Sequence, residues 1–386
     1  MRVWLIAGEP SGDRLGAALM DGLRARVPDI RFDGVGGDRM IGAGLRSLFP
    51  MDEISIMGLS EIMRRYRALQ ARIRETARAV VAARPDVLVT VDIPEFSLRV
   101  ARLVRAADPS IRIVHYVAPT VWAWRPGRAV KMAPHVDQVL AILPFEPPYM
   151  EAAGLACDFV GHPVVTEAQA TEAEAAAFRA EHGIDGPLAL LLPGSRRSEL
   201  ARLLPVLAEV STRLQRERPG LRQAIPAAGP VAQAVAAAVS GWPAAPLVID
   251  PRTDTGGAAK RAAFRAADVA VAASGTVSLE LAAADTPMII AYDMSWLSRQ
   301  IIGRMVMVDT VTLVNLVSDT RVVPEFIGAR CRPAPIAAAA LAVLDDPAGQ
   351  RDAMRLTMDR LGRAGPPPGQ RAADAILARM AQGARA

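Results

Sequence analysis

Asp92 and Glu95 stand in Val91-Asp92-Ile93-Pro94-Glu95-Phe96, directly after the apolar run Val87–Val91. Open α/β sheets bind their ligands at the C-terminal ends of such strands, and a carboxylate there, within reach of an acceptor hydroxyl, can serve as general base. Partial burial raises its pKa toward the working pH. The competing reading is a capped helix start, with Pro94 in the first turn and an acid favouring the dipole. The catalytic reading falls on Asp92 first and on Glu95 second.

A second acid, Glu9, lies in Gly8-Glu9-Pro10-Ser11-Gly12-Asp13. Glycines let a ligand approach the backbone, and the helix that follows offers free N–H groups and about half a positive charge. Glu9 would repel a pyrophosphate, so this loop suits a hydroxylated sugar, with Ser11, Gly12 and Asp13 as binding residues. A plain tight turn capped by Ser11 or Asp13 is the alternative. Gly34-Val35-Gly36-Gly37 falls short of G-x-G-x-x-G, so the dinucleotide fingerprint is absent. The segment His115-Tyr116-Val117-Ala118-Pro119-Thr120-Val121-Trp122-Ala123-Trp124-Arg125 gathers aromatics with polar tips, which suit a sugar face or an acyl chain. A lone histidine after a strand is more often scaffold than catalyst, and His115, Trp122, Trp124 and Arg125 are expected to form a binding wall.

In the second half, Leu192-Pro193-Gly194-Ser195-Arg196-Arg197 follows an apolar run and precedes a helix expected near Ser198. Gly194 and Ser195 can present N–H groups to a diphosphate. Arg196 adds a forked, permanently charged donor able to neutralise a departing nucleotide. A capped helix start with solvated arginines is the bland alternative. Ser274-Gly275-Thr276 opens another helix, where Ser274 or Thr276 could cap while the amides hold phosphate, and Glu280 sits one turn in, placed to bond ribose hydroxyls. No Asp-x-Asp occurs, so the paired-carboxylate Mg²⁺ clamp is missing and a mechanism without metal or other cofactor is expected. His115, His135, His162 and His182 show no zinc spacing.

These residues need strands and helices to hold them. Short apolar runs at Val3–Ala7, Phe32–Val35, Val87–Val91, Ile113–Val117 and Val139–Leu143 alternate with amphipathic stretches, beginning with a helix near Asp13–Arg26, and this rhythm predicts parallel βαβ units. The pattern breaks near Gly161-His162-Pro163 and, after a helix around Glu172–Glu181, restarts with Leu188–Leu192, Gln223–Ile225, Leu247–Ile249, Val269–Val271 and Met288–Ala291. Two Rossmann-like domains of an α/β protein follow, at 1–165 and 166–345, with helices over 346–386 expected to cross back onto the first.

The bulk properties agree. At 386 residues, 51% of them hydrophobic and 22% charged, the chain can bury more than one core. The apolar start is too short for a secretory signal, and no run reaches the roughly 18 apolar residues of a spanning helix. Cys157 and Cys331 give no disulfide framework and fit buried spectators in a reducing cytoplasm. A net charge of +5 suits any anionic partner, but 4% aromatic content and no basic run interleaved with aromatics exclude nucleic acid.

Taken together, the motifs resemble the lipid-A-disaccharide synthases over nearly the whole chain: GEPSGD at 8–13, GVGGDRM at 34–40, IMGLSEI at 56–62, PDVLVTVDIPEF at 85–96, HYVAPTVWAWR at 115–125, LPFE at 143–146, GHP at 161–163, LLPGSR at 191–196, ASGTVSLE at 273–280 and VNLV at 314–317. The resemblance implies a GT-B fold, two Rossmann-like domains facing each other across a cleft. It implies inverting transfer of 2,3-diacylglucosamine from its UDP derivative to 2,3-diacylglucosamine 1-phosphate, with a β-1,6 link formed and UDP released. It carries over Glu9 and Asp92 on the acceptor side, and Arg196, Ser274–Thr276, Glu280 and Asn315 on the donor side. The family usually has alanine where this chain has Pro10, which stiffens the loop, and often aspartate at Glu95, which discounts that residue as a catalyst.

The acylated substrates turn attention to Ile54–Val81, where Ile56, Met57, Leu59, Ile62 and Met63 precede Arg64, Arg65, Arg67, Arg72, Arg74 and Arg78. An apolar lip beside a basic helix suits an anionic inner-membrane surface met from the cytoplasmic side, against the alternative of a core helix with a solvated cationic face. A second copy of the chain is a further expected partner. The rival functions are a UDP-N-acetylglucosamine 2-epimerase, which would share the donor loops, and a non-catalytic nucleotide-sugar-binding protein, in which Asp92 would be dispensable.

Overall fold

The computed structural model describes residues 1–55, 59–254, 256–294 and 308–383, with the side chains of 59–65 and of Gly383 left out. The chain divides into two units, one of residues 1–166 with 361–386 and the other of residues 167–360. In the first unit the strands are β1 (Arg2–Ala7), β2 (Arg31–Val35), β3 (Arg46–Ser47), β4 (Val87–Val91), β5 (Arg112–Tyr116), β6 (Gln138–Ala141) and β7 (Ala156–Phe159). They form one parallel sheet in the order β3-β2-β1-β4-β5-β6-β7. The helices are α1 (Pro10–Arg24), α2 (Asp38–Gly42), α3 (Leu59–Ala83), α4 (Pro94–Ala107), α5 (Gly127–Met132) and α6 (Pro147–Glu151).

All five residues of β4 are buried, as expected for a strand covered on both faces. The two-residue alternation of β1 shows why. Val3, Leu5 and Ala7 join a core with Leu15, Leu19 and Leu23 of α1, while Trp4 and Ile6 join another with Ile73 and Val80 of α3 and Val100 of α4.

The second unit repeats the scheme with β8 (Leu188–Leu192), β9 (Arg222–Pro226), β10 (Leu247–Ile249), β11 (Val269–Ala272), β12 (Met288–Tyr292) and β13 (Glu325–Ile327), ordered β10-β9-β8-β11-β12-β13 and again parallel. Around them lie α7 (Glu172–Glu181), α8 (Arg197–Glu217), α9 (Ala232–Val239), α10 (Ala258–Ala266) and α11 (Val277–Ala283). In each sheet the strand order reverses beside the first strand, between β1 and β4 and between β8 and β11. Ligands of open α/β sheets sit outside the strand ends at such reversals.

Two expectations about helices change. The helices over 346–386 do not act together: Ala348–Arg360 packs in the second unit, against α11 and Leu313–Ser318. Its Gln350 accepts from the Met288 N–H at 2.7 Å and donates to the Met288 carbonyl at 2.9 Å, which anchors it to β12. Only Pro368–Gly383 packs on α1, through glycines: a Cβ at Gly22 would lie 2.5 Å from the Gly369 carbonyl oxygen, and one at Gly369 would strike the Ala18 carbonyl. The first helix starts at Pro10 rather than near Asp13, because proline tolerates the first helical position and Glu9 is the extended residue before it.

The basic stretch also divides. Ile56 and Met57 lie outside the described residues, as do the side chains of Leu59, Ile62, Met63, Arg64 and Arg65. Ile54 is buried and belongs to the core rather than to a lip. Arg72 is held by Glu53 and Glu75 and lies over the Phe49 ring, 4.5 Å from its centroid, whereas Arg67, Arg74 and Arg78 are exposed. Among the described residues no helix is long and apolar enough to cross a membrane. Cys157 is buried, its thiol pushed up to about 12 chiefly by desolvation, and Cys331 is only partly buried, against the expectation for it.

Candidate functional site

Because the strands of the first sheet are parallel, the loops after β1, β4 and β5 leave the same edge side by side. Asp92 ends β4 in the left-handed region, with φ 52°, and Ile93 follows at 40°. Val117, just past β5, has φ 79°, a rare conformation for a β-branched residue. Each costs about 1–3 kcal/mol, strain that folds tend to keep where a site needs it. The Asp92 N–H donates to the Tyr116 carbonyl at 2.9 Å and the Ser97 hydroxyl to the Asp92 carbonyl at 2.8 Å, so backbone contacts on both sides fix the turn. Desolvation holds the Asp92 carboxyl above the usual carboxylate range, opposed by the Ile93 N–H. A carboxylate held above its usual range in this way is the stronger base for it.

Neighbouring candidates separate into ligand-facing and scaffold residues. Glu9 is half-buried and Ser11 exposed on the same edge. Gly12 is buried, and a Cβ there would only come into ordinary contact with Ala7 and Val91. Asp13 is also buried, and its two oxygens accept from the N–H groups of Gly37 at 2.8 Å, Arg39 at 3.0 Å and Met40 at 3.1 Å. It therefore pins the start of α2 rather than presenting itself to a ligand. Glu95 points to solvent and pairs with Arg128 at 2.8 Å.

The expected aromatic wall is also divided. His115 is 1% exposed, its Nδ1 is 2.8 Å from the Thr90 hydroxyl, and burial pulls its pKa down to about 4, helped by Arg128. Its part in a binding wall is corrected: it is a neutral scaffold imidazole inside the sheet. Trp122 is buried as well, edge-on to Phe145 with ring centroids 5.1 Å apart, and its Nε1 donates to Glu146 at 3.3 Å. Trp124 is half-buried, donates to the Thr120 hydroxyl at 3.1 Å and carries the Arg125 guanidinium 4.2 Å above its ring. Of the four, Trp124 and Arg125 remain accessible to a ligand.

Sequence reasoning missed Glu146. It is 1% exposed, accepts from the Ile142 and Leu143 N–H groups at 3.2 and 3.0 Å, and is pushed up to about 7 by burial. The quoted LPFE segment contains it, but nothing in the local pattern shows that the Trp122 region buries it.

In the second unit a cavity of about 400 Å³ opens beyond the ends of β8 and β11, lined by Gly194, Ser195, Arg196, Ser274, Gly275, Thr276 and Glu280 together with Glu199, Lys260 and Phe264. The spacing between these motifs in sequence disappears because β8 and β11 are adjacent. Gly194 has φ 99°, and a Cβ there would run into the Glu199 carboxylate. That carboxylate accepts from the Ser195 N–H at 3.0 Å and the Arg196 N–H at 3.2 Å, and from the Arg196 guanidinium at 3.3 Å. An anion already sits on the amides expected to receive one, supplied by the chain's own α8, and Arg196 stays largely exposed. Thr276 precedes α11 but makes no side-chain cap, contrary to the expectation for it, and Ser274 is half-buried.

Glu280 pairs with Lys260 at 2.6 Å, and Lys260 lies 5.0 Å from the Phe264 ring centroid. Lys260 was also missed, although the chain has only two lysines, Lys131 and Lys260, among many arginines. Asn315 requires correction as a binding residue. It is 1% exposed, donates to Thr310 at 3.2 Å and to the Val323 carbonyl at 2.9 Å, and accepts from the Val323 N–H at 3.0 Å, so both of its donors are used inside the fold.

A model of the family described as Lipid-A-disaccharide synthetase matches residues 3–367. A lipid-A-disaccharide synthase of Ruegeria pomeroyi is 61% identical over 384 residues, covering 98% of this chain and 96% of that one. Those of Rhodospirillum centenum and Rhodopseudomonas palustris are 44% and 46% identical, each over 97% of this chain and 94% and 95% of their own. Among solved structures, the UDP-GlcNAc 2-epimerase of Neisseria meningitidis bound to UDP-GlcNAc is similar with a TM-score of 0.61 at 10% identity, covering 99% of this chain and 100% of that one. The Methanocaldococcus jannaschii enzyme is similar at 0.56 and 12%, covering 99% and 100%. The epimerases share the two-sheet GT-B-like fold alone, whereas the family match runs through both units and every ligand-facing loop: the chain belongs to the lipid-A-disaccharide synthase family of UDP-sugar glycosyltransferases.

Proposed function

We propose that the chain joins UDP-2,3-diacylglucosamine to 2,3-diacylglucosamine 1-phosphate with Asp92 as the base. The acceptor hydroxyl oxygen bonds to the anomeric carbon as the bond from that carbon to the diphosphate oxygen breaks. The hydroxyl proton passes to Asp92, and the electron pair leaves with UDP. Arg196 and the Ser195 and Arg196 amides take up the negative charge that grows on the diphosphate, which displaces the Glu199 carboxylate from them. Ser274, Gly275 and Thr276 hold the nucleotide, with Glu280 on its ribose. Glu9 and Ser11 orient the acceptor sugar, and Trp124 and Arg125 flank it.

The observation that carries this reading is the strained, desolvated Asp92 at the strand-order reversal of the first sheet. The test is incubation with both substrates and mass analysis of the products. A disaccharide 1-phosphate with one UDP per coupling is expected. A UDP-sugar changed at one carbon, with no coupling, would instead support the epimerase reading suggested by the shared fold.

The acyl chains are reached from a membrane surface, which the exposed Arg67, Arg74 and Arg78 of α3 suit by their charge. On this proposal the enzyme works peripherally on the cytoplasmic face of the inner membrane. Self-association into a homodimer accompanies this proposal and is checked by sedimentation.

A further inference from the structure

In the first unit α4 and α5 enclose a concavity of about 390 Å³ that the proposed reaction does not use. Its polar lining is Glu95, Arg99 and Arg102 from α4, Arg128 and Lys131 from α5, and His135 just beyond, over an apolar floor of Leu98 and Met132. Four permanent cations thus face one carboxylate. Glu95 is 2.8 Å from Arg128 and 3.8 Å from Arg99 and remains 63% exposed. The side chains of Arg102, Lys131 and His135 make no hydrogen bond or ion pair among the described residues.

Several arginines elsewhere in this unit are discharged on carboxylates: Arg2 on Asp33, Arg26 on Asp374, Arg105 on Asp137 and Arg379 on Asp158. In the hollow, by contrast, four cations share the single carboxylate of Glu95, and one of them, Lys131, is one of the chain's two lysines; the other lines the cavity in the second unit. A concave wall of low polarity focuses such a field. Forked guanidiniums and a point-charge ammonium match phosphate oxygens, while Leu98 and Met132 offer a surface to the carbon skeleton bearing the phosphate.

We propose that the α4–α5 groove is a binding site for a phosphate ester carried on a sugar or on glycerol. Two sources supply that chemistry: the 1-phosphate of the acceptor sugar, or the headgroup of an anionic phospholipid. The first rests on the reaction proposed above; the groove itself does not. Glu95 is its internal competitor, occupying Arg128 when the ligand is absent.

The test uses the full chain and R102E/K131E, two exposed positions whose side chains hold nothing in the fold. Glucosamine 1-phosphate binding is measured by calorimetry, and cosedimentation is measured with phosphatidylglycerol and with phosphatidylcholine vesicles. Weakening of the sugar phosphate by about tenfold or more, the effect of losing roughly one good ionic contact, assigns the groove to the acceptor. A matching loss confined to phosphatidylglycerol vesicles assigns it to the headgroup. Glu95→Gln is expected to tighten whichever probe responds. Thermal denaturation reports on folding of the first unit in every variant. Unchanged binding of both probes overturns the proposal, as does an equal loss in R31E/R363E, which removes the same charge from exposed sites outside the groove. Since no turnover is needed, failure to form a disaccharide is a separate result and leaves the groove standing.

Discussion

Asp92 separates two demands on one side chain, since burial that raises its pKa also lowers the fraction ionised at low pH. Replacing it with asparagine keeps size and polarity and removes the proposed base. Asp92→Asn is therefore expected to lower kcat by about 10²–10⁴-fold with UDP binding unchanged, measured by single-turnover kinetics. Full turnover would remove Asp92 from the mechanism. Glu146 makes a different prediction, about stability. An unfolded chain ionises this carboxyl above its ordinary 4.5, whereas the folded protein resists until about 7, so its contribution is intact at low pH and lost as pH rises across that window. His115 and His162, both pulled from 6.5 to about 4, work oppositely: their contribution is present above 6.5 and lost as pH falls through about 4. Thermal denaturation of wild type and Glu146→Gln should diverge as pH rises from 4.5 to 7, wild type losing ground; a pH-independent difference would show Glu146 ionised throughout. The place of Asp92 at the end of β4 was legible because a carboxylate after an apolar strand is a local pattern. Glu146 was not, because Trp122, which bonds to it in the buried interior, comes from another segment. His115 and Asn315 were overread, since their residue types announce polarity while burial and partners decide its use.

The loop between β8 and α8 depends on Gly194 twice, for its left-handed φ and for the space beside Glu199. Alanine there adds left-handed strain of about 1–2 kcal/mol and pushes on the carboxylate that orders Ser195 and Arg196. UDP affinity of Gly194→Ala should fall about tenfold or more by calorimetry, and an unaltered value would take the diphosphate off this loop. The arginines of α3 test another element. Near an anionic surface each cation contributes about 1 kcal/mol, so R67E/R74E/R78E should weaken phosphatidylglycerol vesicle binding roughly a hundredfold at low salt, and less at high salt. Arg72→Glu should instead lower thermal stability, because it removes the link to Glu53 and Glu75. From sequence all the arginines looked alike, because a helical pattern shows which residues share a face but not which of them find a carboxylate. The ten expected strands stand where their apolar runs are, while β3, β7 and β13 escaped because their two to four residues, RS, ACDF and EFI, mix charged or polar residues into too short a run to read as apolar.

At the scale of the chain, the first unit cannot close without its last residues. Leu19, Leu23 and Met20 of α1 share a core with Ala372, Ala373 and Ile376, a contact between segments nearly the whole chain apart. Its tightest point is the crossing of Gly22 and Gly369, where backbone meets backbone. No run of apolar residues announces this contact, which depends on small residues at one turn of each helix. The sequence pattern could place a helix near the C-terminus but not distinguish Ala348–Arg360, tied to β12, from Pro368–Gly383, seated on α1. A methyl at Gly22 must part the two helices, and overpacking of this kind costs about 1–3 kcal/mol. UDP, by contrast, is proposed to bind the second unit and should stabilise that unit by mass action. Differential scanning calorimetry of Gly22→Ala with and without saturating UDP separates the two effects. The variant is expected to lower the transition of the first unit while UDP raises that of the second by the same increment as in wild type. If mutation and ligand move one shared transition, the two units unfold as a single cooperative block, and a lesion at the α1 crossing would then be felt in the nucleotide cavity as well.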